Sequence, residues 1–246
     1  MSKNKFFNTE SMTAIVLSFV GGILDIYCLF NFDFYATMHT GNIIKMVENL
    51  IDGKIELFID TILFILFFIE GLFITNFLEK KTRFNGIKIS LVISLIFFTV
   101  IALIPNDDPP GDLSVAKMFS ACVCGYEGAL LIHSFTRFGK YSYSSTAMTS
   151  NMNRAVSNVY DRIATKDKTL NYGIVVYALI FIFFVLGVTG GYAYMKLVPF
   201  PVSGFWNLYK YNLLLIVPIV LICILLLSLK IKKTNKEKTE SEEPKA

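Results

Sequence analysis

Long apolar segments are the feature that most constrains how this chain folds. Each of six segments is close to the roughly 20 residues that an α-helix needs to cross the hydrocarbon core of a bilayer. They cover residues 12–30, 57–78, 87–104, 115–135, 172–195 and 211–229. With 54% hydrophobic and 17% charged residues, the chain is too apolar for a soluble domain of 246 residues. The sequence therefore predicts an all-α, polytopic membrane protein with six transmembrane helices.

The distribution of basic residues predicts the orientation of the chain. If the amino terminus is cytoplasmic, the inner segments hold 18 of the 23 Lys and Arg residues, against four outside and Lys117 at the edge of the fourth span. Such an excess marks the cytoplasmic side of a membrane protein. We expect a cytoplasmic segment at 1–11, a single transmembrane domain over 12–229, and a disordered cytoplasmic tail at 230–246. Because the basic residues have this topological explanation, no nucleic-acid partner is expected.

A polar motif occurs twice in the chain, 109 positions apart. Six residues recur unchanged and two recur as conservative exchanges, where background usage of roughly 5–7% per residue type gives about one identity. The matched residues are Thr37, Thr40, Gly41, Asn42, Lys45, Val47, Asn49 and Asp52 in the first copy, and Thr146, Thr149, Ser150, Asn151, Arg154, Val156, Asn158 and Asp161 in the second. This duplication predicts two three-span repeats, 12–104 and 115–229. Since three spans reverse the side of entry, the second repeat is expected to be inverted.

The first copy predicts a short helix over residues 40–50 with one apolar face. At 1.5 Å per residue it is about 16 Å long, which is too short to cross a bilayer. It could re-enter the membrane and present its first turn to a polar solute, with Thr37 or Thr40 as its cap. It could also lie at the interface, where its Asn and Thr side chains would only satisfy local backbone groups. The predicted solute-binding residues are Thr40, Gly41, Asn42, Thr149, Ser150 and Asn151.

Three acidic residues lie well inside the apolar segments: Asp25, Glu70 and Glu127. A carboxylate near the bilayer centre costs at least about 2.5 kcal/mol, so such residues usually face a protein interior or an aqueous cavity. We consider them candidates for carrying a coupling proton, together with His39, and Asp25 is the first choice. The alternative is that these acids are protonated and hydrogen-bonded between helices.

The sequence also resembles a known family. The resemblance rests on Gly22-Ile-Leu-Asp25 with His39-Thr40-Gly41-Asn42, and on Gly125-Tyr-Glu-Gly128-Ala129 with Met148-Thr149-Ser150-Asn151. These segments resemble the YoaK-like family of bacterial inner-membrane proteins, a domain of unknown function, over nearly the whole chain apart from the tail. The family pattern has Thr-Gly-Asn in both halves and a polar residue where this chain has Gly128, so Ser150 and Gly128 depart from it. The resemblance implies a bacterial inner-membrane location and a transport role without an established substrate.

The remaining patterns limit the function. No phosphate loop, metalloprotease helix or nucleophile elbow is present, and the cysteines lack zinc spacing, so no enzyme activity, cofactor or metal is expected. The predicted function is secondary transport of a small polar solute, with proton coupling as an option. A non-transporting membrane scaffold or assembly partner and a passive channel are the alternatives. Gly187, Gly190 and Gly191 form a small-residue face that predicts close helix packing and could also join copies of the chain within membrane lipid.

Overall fold

The structure is a computed structural model that describes residues 9–81, 92–97, 99–100, 115–134, 137–138, 140–144, 147–197 and 219–223. Helices dominate these residues. They are α1 (Thr9–Phe32), α2 (His39–Ile51), α3 (Ile55–Lys81), α4 (Val115–Ser134), α5 (Met148–Thr165) and α6 (Leu170–Leu197). Between α4 and α5, two short strands pair antiparallel: β1 (Arg137–Phe138) and β2 (Tyr141–Ser142). The all-α class is confirmed apart from this small hairpin.

Among the described residues, three helical segments are long and apolar enough to cross a membrane: Glu10–Phe32, Ile55–Phe77 and Leu170–Leu197. They coincide with the predicted first, second and fifth spans. Their length and composition support the prediction that the chain is a membrane protein. Helix α4 coincides with the predicted fourth span, but its apolar part, Met118–Leu131, is shorter. The apolar blocks therefore locate these helices correctly.

The other predicted spans lie mostly outside the described residues. Helical turns at 92–97 and 99–100 fall in the predicted third span, and residues 219–223 fall in the predicted sixth. The tail at 230–246 lies wholly outside the described part. The count of six spans and the division into domains stay predictions.

The long helices of one predicted repeat pack against those of the other. Helix α1 packs along α6, and α3 packs along α4. Each of these pairs joins the first span of one predicted repeat to the second span of the other. Helices α2 and α5 instead pack on the span that follows each of them in sequence, α3 and α6 respectively. The same contacts thus occur twice.

Glycines allow the close crossing of α1 and α6. A Cβ atom added to Gly22 would overlap the carbonyl oxygen of Phe184, and a Cβ atom added to Gly187 would overlap the carbonyl oxygen of Phe19. The predicted packing role of Gly187 is confirmed, and its face is covered by α1 of the same chain. Gly190 has open space where its side chain would be.

The crossing of α3 and α4 is built in the same way. A Cβ atom on Gly71 would lie 3.0 Å from the carbonyl oxygen of Tyr126, and one on Gly125 would lie 2.7 Å from the carbonyl oxygen of Phe64. The 2.7 Å distance is shorter than real Cβ contacts, and the 3.0 Å distance is tighter than nearly all of them. Small residues therefore set the separation of the helices at both crossings, as is common where membrane helices pack by van der Waals contact.

The α1–α6 crossing generates a first prediction. Gly187→Ala should lower the midpoint of thermal unfolding of the detergent-purified protein, because the added methyl group meets the backbone of Phe19 and overpacking costs about 1–3 kcal/mol. The matched control is Gly190→Ala in the same helix, where no atom lies within 4 Å. This control should be neutral or slightly stabilising, since alanine is the better helix former. Equal losses in the two variants would contradict the crossing.

Candidate functional site

The chain folds back alongside α1 after that helix ends. The backbone N–H and the hydroxyl of Thr37 donate hydrogen bonds to the two carboxylate oxygens of Asp25, at 2.9 and 2.7 Å. Asp25 lies seven residues before the end of α1 at Phe32, which corresponds to about 10 Å along the helix axis. The loop 33–38 therefore returns by about two helical turns before α2 begins.

Helix α2 begins beside the middle of α3. The ring of His39 packs on the ring of Phe68 with centroids 3.6 Å apart, and it also lies against Phe64. Phe68 is 13 residues into the 27-residue α3, which places it about 20 Å from the start of that helix. Helix α2 thus runs from the middle of α3 back to its beginning. Whether α2 enters the membrane or lies at its interface stays a prediction.

Helix α5 has a similar position on α6. Tyr143, just before α5, lies in one apolar cluster with Val176, Tyr177 and Ile180 of α6, and Met148 packs against this cluster. Ile180 is ten residues into α6, about 15 Å from its start. The second motif helix also begins beside the inner part of the span that follows it.

The asparagine of each motif closes the loop before its helix. The Oδ1 atom of Asn42 accepts a hydrogen bond from the N–H of Tyr35 at 2.8 Å, and its Nδ2 atom donates to the carbonyl of Tyr35 at 2.6 Å. Asn151 makes the same pair of bonds with the backbone of Ser144. Both asparagines are buried, with 0% and 1% of their surface exposed. We call this arrangement the asparagine clamp, and it repeats at a separation of 109 residues.

The predicted helix caps were wrong. The N-cap residue of α2 is Met38, and no side chain caps the helix. The hydroxyl of Thr37 is bound by Asp25 instead, and Thr40 lies within the first turn. Helix α5 likewise follows an uncapped Ala147, while Thr146, the counterpart of Thr37, lies outside the described residues.

The six predicted solute-binding residues differ in exposure and in hydrogen bonding. The clamp uses both side-chain polar atoms of Asn42 and Asn151, as expected if these residues satisfy local backbone groups. Thr40 and Thr149 are exposed and Ser150 is partly exposed, so their hydroxyls are accessible at the starts of the two helices. Gly41 lies against the ring of Tyr35. Helix starts also present backbone N–H groups without intrahelical acceptors.

The three acids lie in different environments. Asp25 is buried and accepts the two hydrogen bonds from Thr37. Glu127 is 0% exposed, and neither of its carboxylate oxygens makes a standard hydrogen bond within the described structure, although the buried Ser94 lies close by. Glu70 is exposed on α3, next to the exposed Ile69. The sequence therefore grouped three residues that the fold separates.

Gly128 of α4 packs against the loop that Asp25 holds. A Cβ atom on Gly128 would overlap the carbonyl oxygen of Ala36, and it would lie 3.7 Å from the side chain of Thr37. The absence of a polar side chain at this position is explained by the close approach of the loop. Asp25 of α1 and Gly128 of α4 therefore contact the same loop.

His39 is placed as an aromatic packing group. Its two ring nitrogens are enclosed and have no hydrogen-bond partner among the described residues. Burial against Phe64 and Phe68 lowers the pKa of His39, because a charged imidazole loses its hydration there. The ring is therefore neutral at neutral pH. To relay a proton, His39 would have to exchange it with a solute or a water molecule, because no described residue is bonded to its ring nitrogens.

The partner of Lys45 is Asp33, a residue that the repeated motif does not include. The Lys45 ammonium group forms an ion pair with Asp33 and donates a second hydrogen bond to the Asp33 carbonyl oxygen. Asp33 has a positive φ of 59°, in the left-handed region that Asp tolerates better than most residues. Because Asp33 precedes the repeated segment, the motif alone gave no signal for this pair.

Metal and disulfide chemistry have little support in the described part of the chain. It contains no group of three or more His, Cys, Asp or Glu side chains that could hold a metal ion. All four cysteines are free thiols, with Cys28, Cys122 and Cys124 buried and Cys223 exposed.

Comparison with known proteins identifies the family. A family described as a protein of unknown function, DUF1275, matches residues 13–227, and the chain belongs to this family. The resemblance to the YoaK-like proteins is thereby confirmed, because they are members of the same family. No curated protein and no solved structure shows a significant match to the chain.

The asparagine clamp generates a second prediction. Asn42→Ala and Asn151→Ala should each lower the free energy of unfolding by about 1–3 kcal/mol, because each leaves a partly buried N–H and a partly buried carbonyl without partners. Thr40→Ala is the matched control, since Thr40 is exposed and should change stability by less than about 0.5 kcal/mol. Chemical denaturation in detergent micelles measures all three. A clamp variant as stable as the control would show that the clamp does not hold the loop.

His39 generates a third prediction, on pH dependence. Its pKa is lower in the folded chain than in the unfolded one, so the unfolded state binds more protons below a pH of about 6.5. The stability contributed by neutral His39 should be present above this pH and fall as the solution becomes more acidic. His39→Phe keeps a ring in place and should remove this component from the stability curve. Identical pH dependence in the variant and the wild type would contradict the burial of a neutral imidazole.

Proposed function

We propose that this member of the DUF1275 family is a secondary transporter of a small polar solute in a bacterial cytoplasmic membrane, built as two inverted three-span repeats with both termini cytoplasmic. The observation that carries the proposal is the repeated re-entrant unit: a loop closed by an asparagine clamp, followed by a helix that starts beside the inner part of the next span. Many secondary transporters place such helix starts, one from each repeat, around a solute site near the bilayer midplane.

The packing of the spans supports the inverted arrangement. In a duplicated chain, α1 corresponds to α4 and α3 corresponds to α6. The contact of α1 with α6 is then the counterpart of the contact of α4 with α3, and both contacts are present and lined by glycine. A pseudo-twofold axis in the membrane plane would relate them.

The residues of the motif then divide into two roles. Thr40, Thr149 and Ser150 contact the solute through their hydroxyls, and the first-turn backbone N–H groups, including that of Gly41, assist them. Asn42 and Asn151 are positioning residues, because the clamp fixes where each helix starts. Irregular backbone at membrane depth is tolerated when it is buried in protein or lines a cavity, and the clamps meet this condition for the two loops.

Glu127 is the best candidate for the coupling acid. A buried charge without a partner is costly, so this carboxyl group must take up a proton or meet a cation before it is enclosed. Asp25 accepts two hydrogen bonds from Thr37, so both of its carboxylate oxygens are used to hold the loop and we assign it a structural role. Glu70 is exposed on the surface of α3. His39 is a packing residue in this proposal, and no catalytic activity is proposed.

The fourth prediction tests coupling. After a solute has been identified by thermal-shift screening, where about 100-fold excess over Kd adds roughly 2.7 kcal/mol, the protein is reconstituted into liposomes. Glu127→Gln should abolish uptake driven by a pH gradient while solute exchange without a gradient continues, since the amide cannot release a proton. Asp25→Asn should lower stability through loss of the Thr37 bonds, with gradient-driven uptake retained in the folded fraction.

The same measurements separate the alternatives. Flux that a pH gradient cannot drive against the solute gradient indicates a passive channel. A protein that neither binds nor moves any solute is a scaffold or assembly partner. Full gradient-driven uptake by Glu127→Gln would reassign this carboxyl to helix packing.

A further inference from the structure

One side of α5 is a row of exposed apolar side chains. They recur at spacings of three and four residues, which places them on one face of the helix. They are Met152, Val156, Val159, Tyr160 and Ile163, and we call this face the α5 ridge. Tyr160 and Ile163, near the end of the helix, are the most exposed, at 70% and 72%. Exposed apolar faces of this kind mark contact with another protein or with a membrane.

Four basic residues gather where the α5 ridge ends. They are Lys140, Arg162, Lys166 and Lys168, and we call them the basic cluster. Lys166 and Lys168 are exposed in the turn between α5 and α6. The Nε atom of Arg162 donates a hydrogen bond to the Oδ1 atom of Asn171 at 3.0 Å. This bond holds the guanidinium group beside the first turn of α6.

Lys140 reaches the same place from the hairpin between α4 and α5. Its ammonium group lies over the ring of Tyr141, 5.4 Å from the centroid. The hydroxyl of Tyr141 donates a hydrogen bond to the carbonyl oxygen of Thr169, the residue before α6. Three separate parts of the chain therefore bring positive charge to the start of α6.

The acids at this end of the molecule do not neutralise the basic cluster. Asp167 lies near enough to Lys140 and Arg162 to interact with them electrostatically, but its carboxylate oxygens accept hydrogen bonds from the backbone N–H and the hydroxyl of Thr169. Asp161 is exposed on α5. Within the described residues, no member of the cluster forms an ion pair. Four basic residues and two acids leave an excess of two positive charges.

Helix α6 determines the depth at which the basic cluster lies. The helix is 28 residues long and apolar enough to cross a membrane. Its length is about 42 Å, which exceeds the roughly 30 Å of hydrocarbon. Its first turn therefore lies among the lipid headgroups, and the basic cluster lies there with it. The neighbouring end of the α5 ridge is then at the boundary between headgroups and acyl chains.

The first half of the chain has a similar apolar row without the positive charge. The residues of α2 that correspond to the ridge are also exposed: Ile43, Val47, Leu50 and Ile51. The turn after α2 carries Asp52, Lys54 and Glu56, and Lys54 forms an ion pair with Asp52. An apolar row is thus common to both halves, but an unneutralised basic cluster beside it is particular to the second.

We propose that the end of α5 and the start of α6 form a docking surface for anionic phospholipid, in which the basic cluster binds the lipid phosphates and the α5 ridge contacts the acyl chains beneath them. Charge complementarity supports this occupant, because Lys and Arg residues beside a membrane span attract anionic headgroups. Exposed apolar and aromatic side chains of an amphipathic helix enter the boundary below the headgroups. The inference goes beyond the proposed function and does not depend on whether the chain moves a solute.

The experiment measures the midpoint of thermal unfolding of the full chain purified in a neutral detergent. Phosphatidylglycerol and phosphatidylcholine with the same acyl chains are titrated in parallel. The wild type should show saturable stabilisation with the higher apparent affinity for phosphatidylglycerol. Replacing two lysines together, Lys166→Gln with Lys168→Gln, should lower this affinity at least about fivefold, since one basic residue near an anionic surface contributes about that factor. Added sodium chloride should reduce the preference in the wild type.

Two further variants separate the charge from the apolar contact. Lys54→Gln is the matched control, because Lys54 is an exposed lysine in the corresponding turn of the first half and should not affect phosphatidylglycerol binding. Tyr160→Ser with Ile163→Ser should weaken binding of both lipids and leave their ratio unchanged. All of these side chains are exposed, so the lipid-free unfolding midpoints should stay close to that of the wild type.

Each outcome decides the inference. A preference for phosphatidylglycerol that is lost in the double lysine variant and kept in Lys54→Gln supports the docking surface. Equal stabilisation by the two lipids in the wild type, or equal losses in the two lysine variants, would overturn it. Glycerol 3-phosphate is titrated as the soluble part of the headgroup. If it stabilises the chain as strongly as phosphatidylglycerol at the same concentration, the cluster binds a soluble anion and the lipid surface is wrong.

Discussion

A backbone that folds back between membrane helices must find its hydrogen-bond partners inside the protein, and the rest of this structure depends on how the two loops do so. Hydrocarbon offers no water to an exposed N–H or carbonyl group, and each unsatisfied group costs several kcal/mol. Asn42 and Asn151 each satisfy one donor and one acceptor of their loop. Asp25 satisfies a further donor in the first loop. These bonds allow α2 and α5 to begin deep beside α3 and α6.

The apolar blocks predicted the described spans well because hydropathy and length are local properties. Predicted boundaries at 12–30 and 172–195 compare with helices Thr9–Phe32 and Leu170–Leu197. The short helix predicted over 40–50 is observed at His39–Ile51. Local patterns could not show which helices cross, because the contact of Gly22 with Phe184 joins residues far apart in the sequence. The expected caps failed for the same reason, since Asp25, a residue of another helix, binds Thr37.

The site was harder to predict than the fold because its bonds use backbone atoms. The partner of Asn42 is the peptide group of Tyr35, and the partner of Asn151 is that of Ser144. These two partners have unrelated side chains, so no comparison of residue types could reveal that the halves share a clamp. The sequence therefore singled out Asn42 and Asn151 as a repeated pair, but it left open whether they bind solute or backbone. The acids show the same limit, because only tertiary structure separates the bonded Asp25 from the enclosed Glu127.

What differs between the two halves follows a pattern. The clamps, the helix starts and the glycine crossings are present twice, and they determine geometry. The charged residues are not repeated. In the alignment of the two halves, Asp33 corresponds to Ser142, and Asp25 corresponds to Gly128. Matching backbone contacts give both halves the same shape, but the proposed proton-coupled transport would need charged groups at particular places along the path of the solute. Under the proposed function, a coupling proton should therefore be sought where the halves differ, above all at Glu127, whereas the matching asparagines Asn42 and Asn151 maintain the fold.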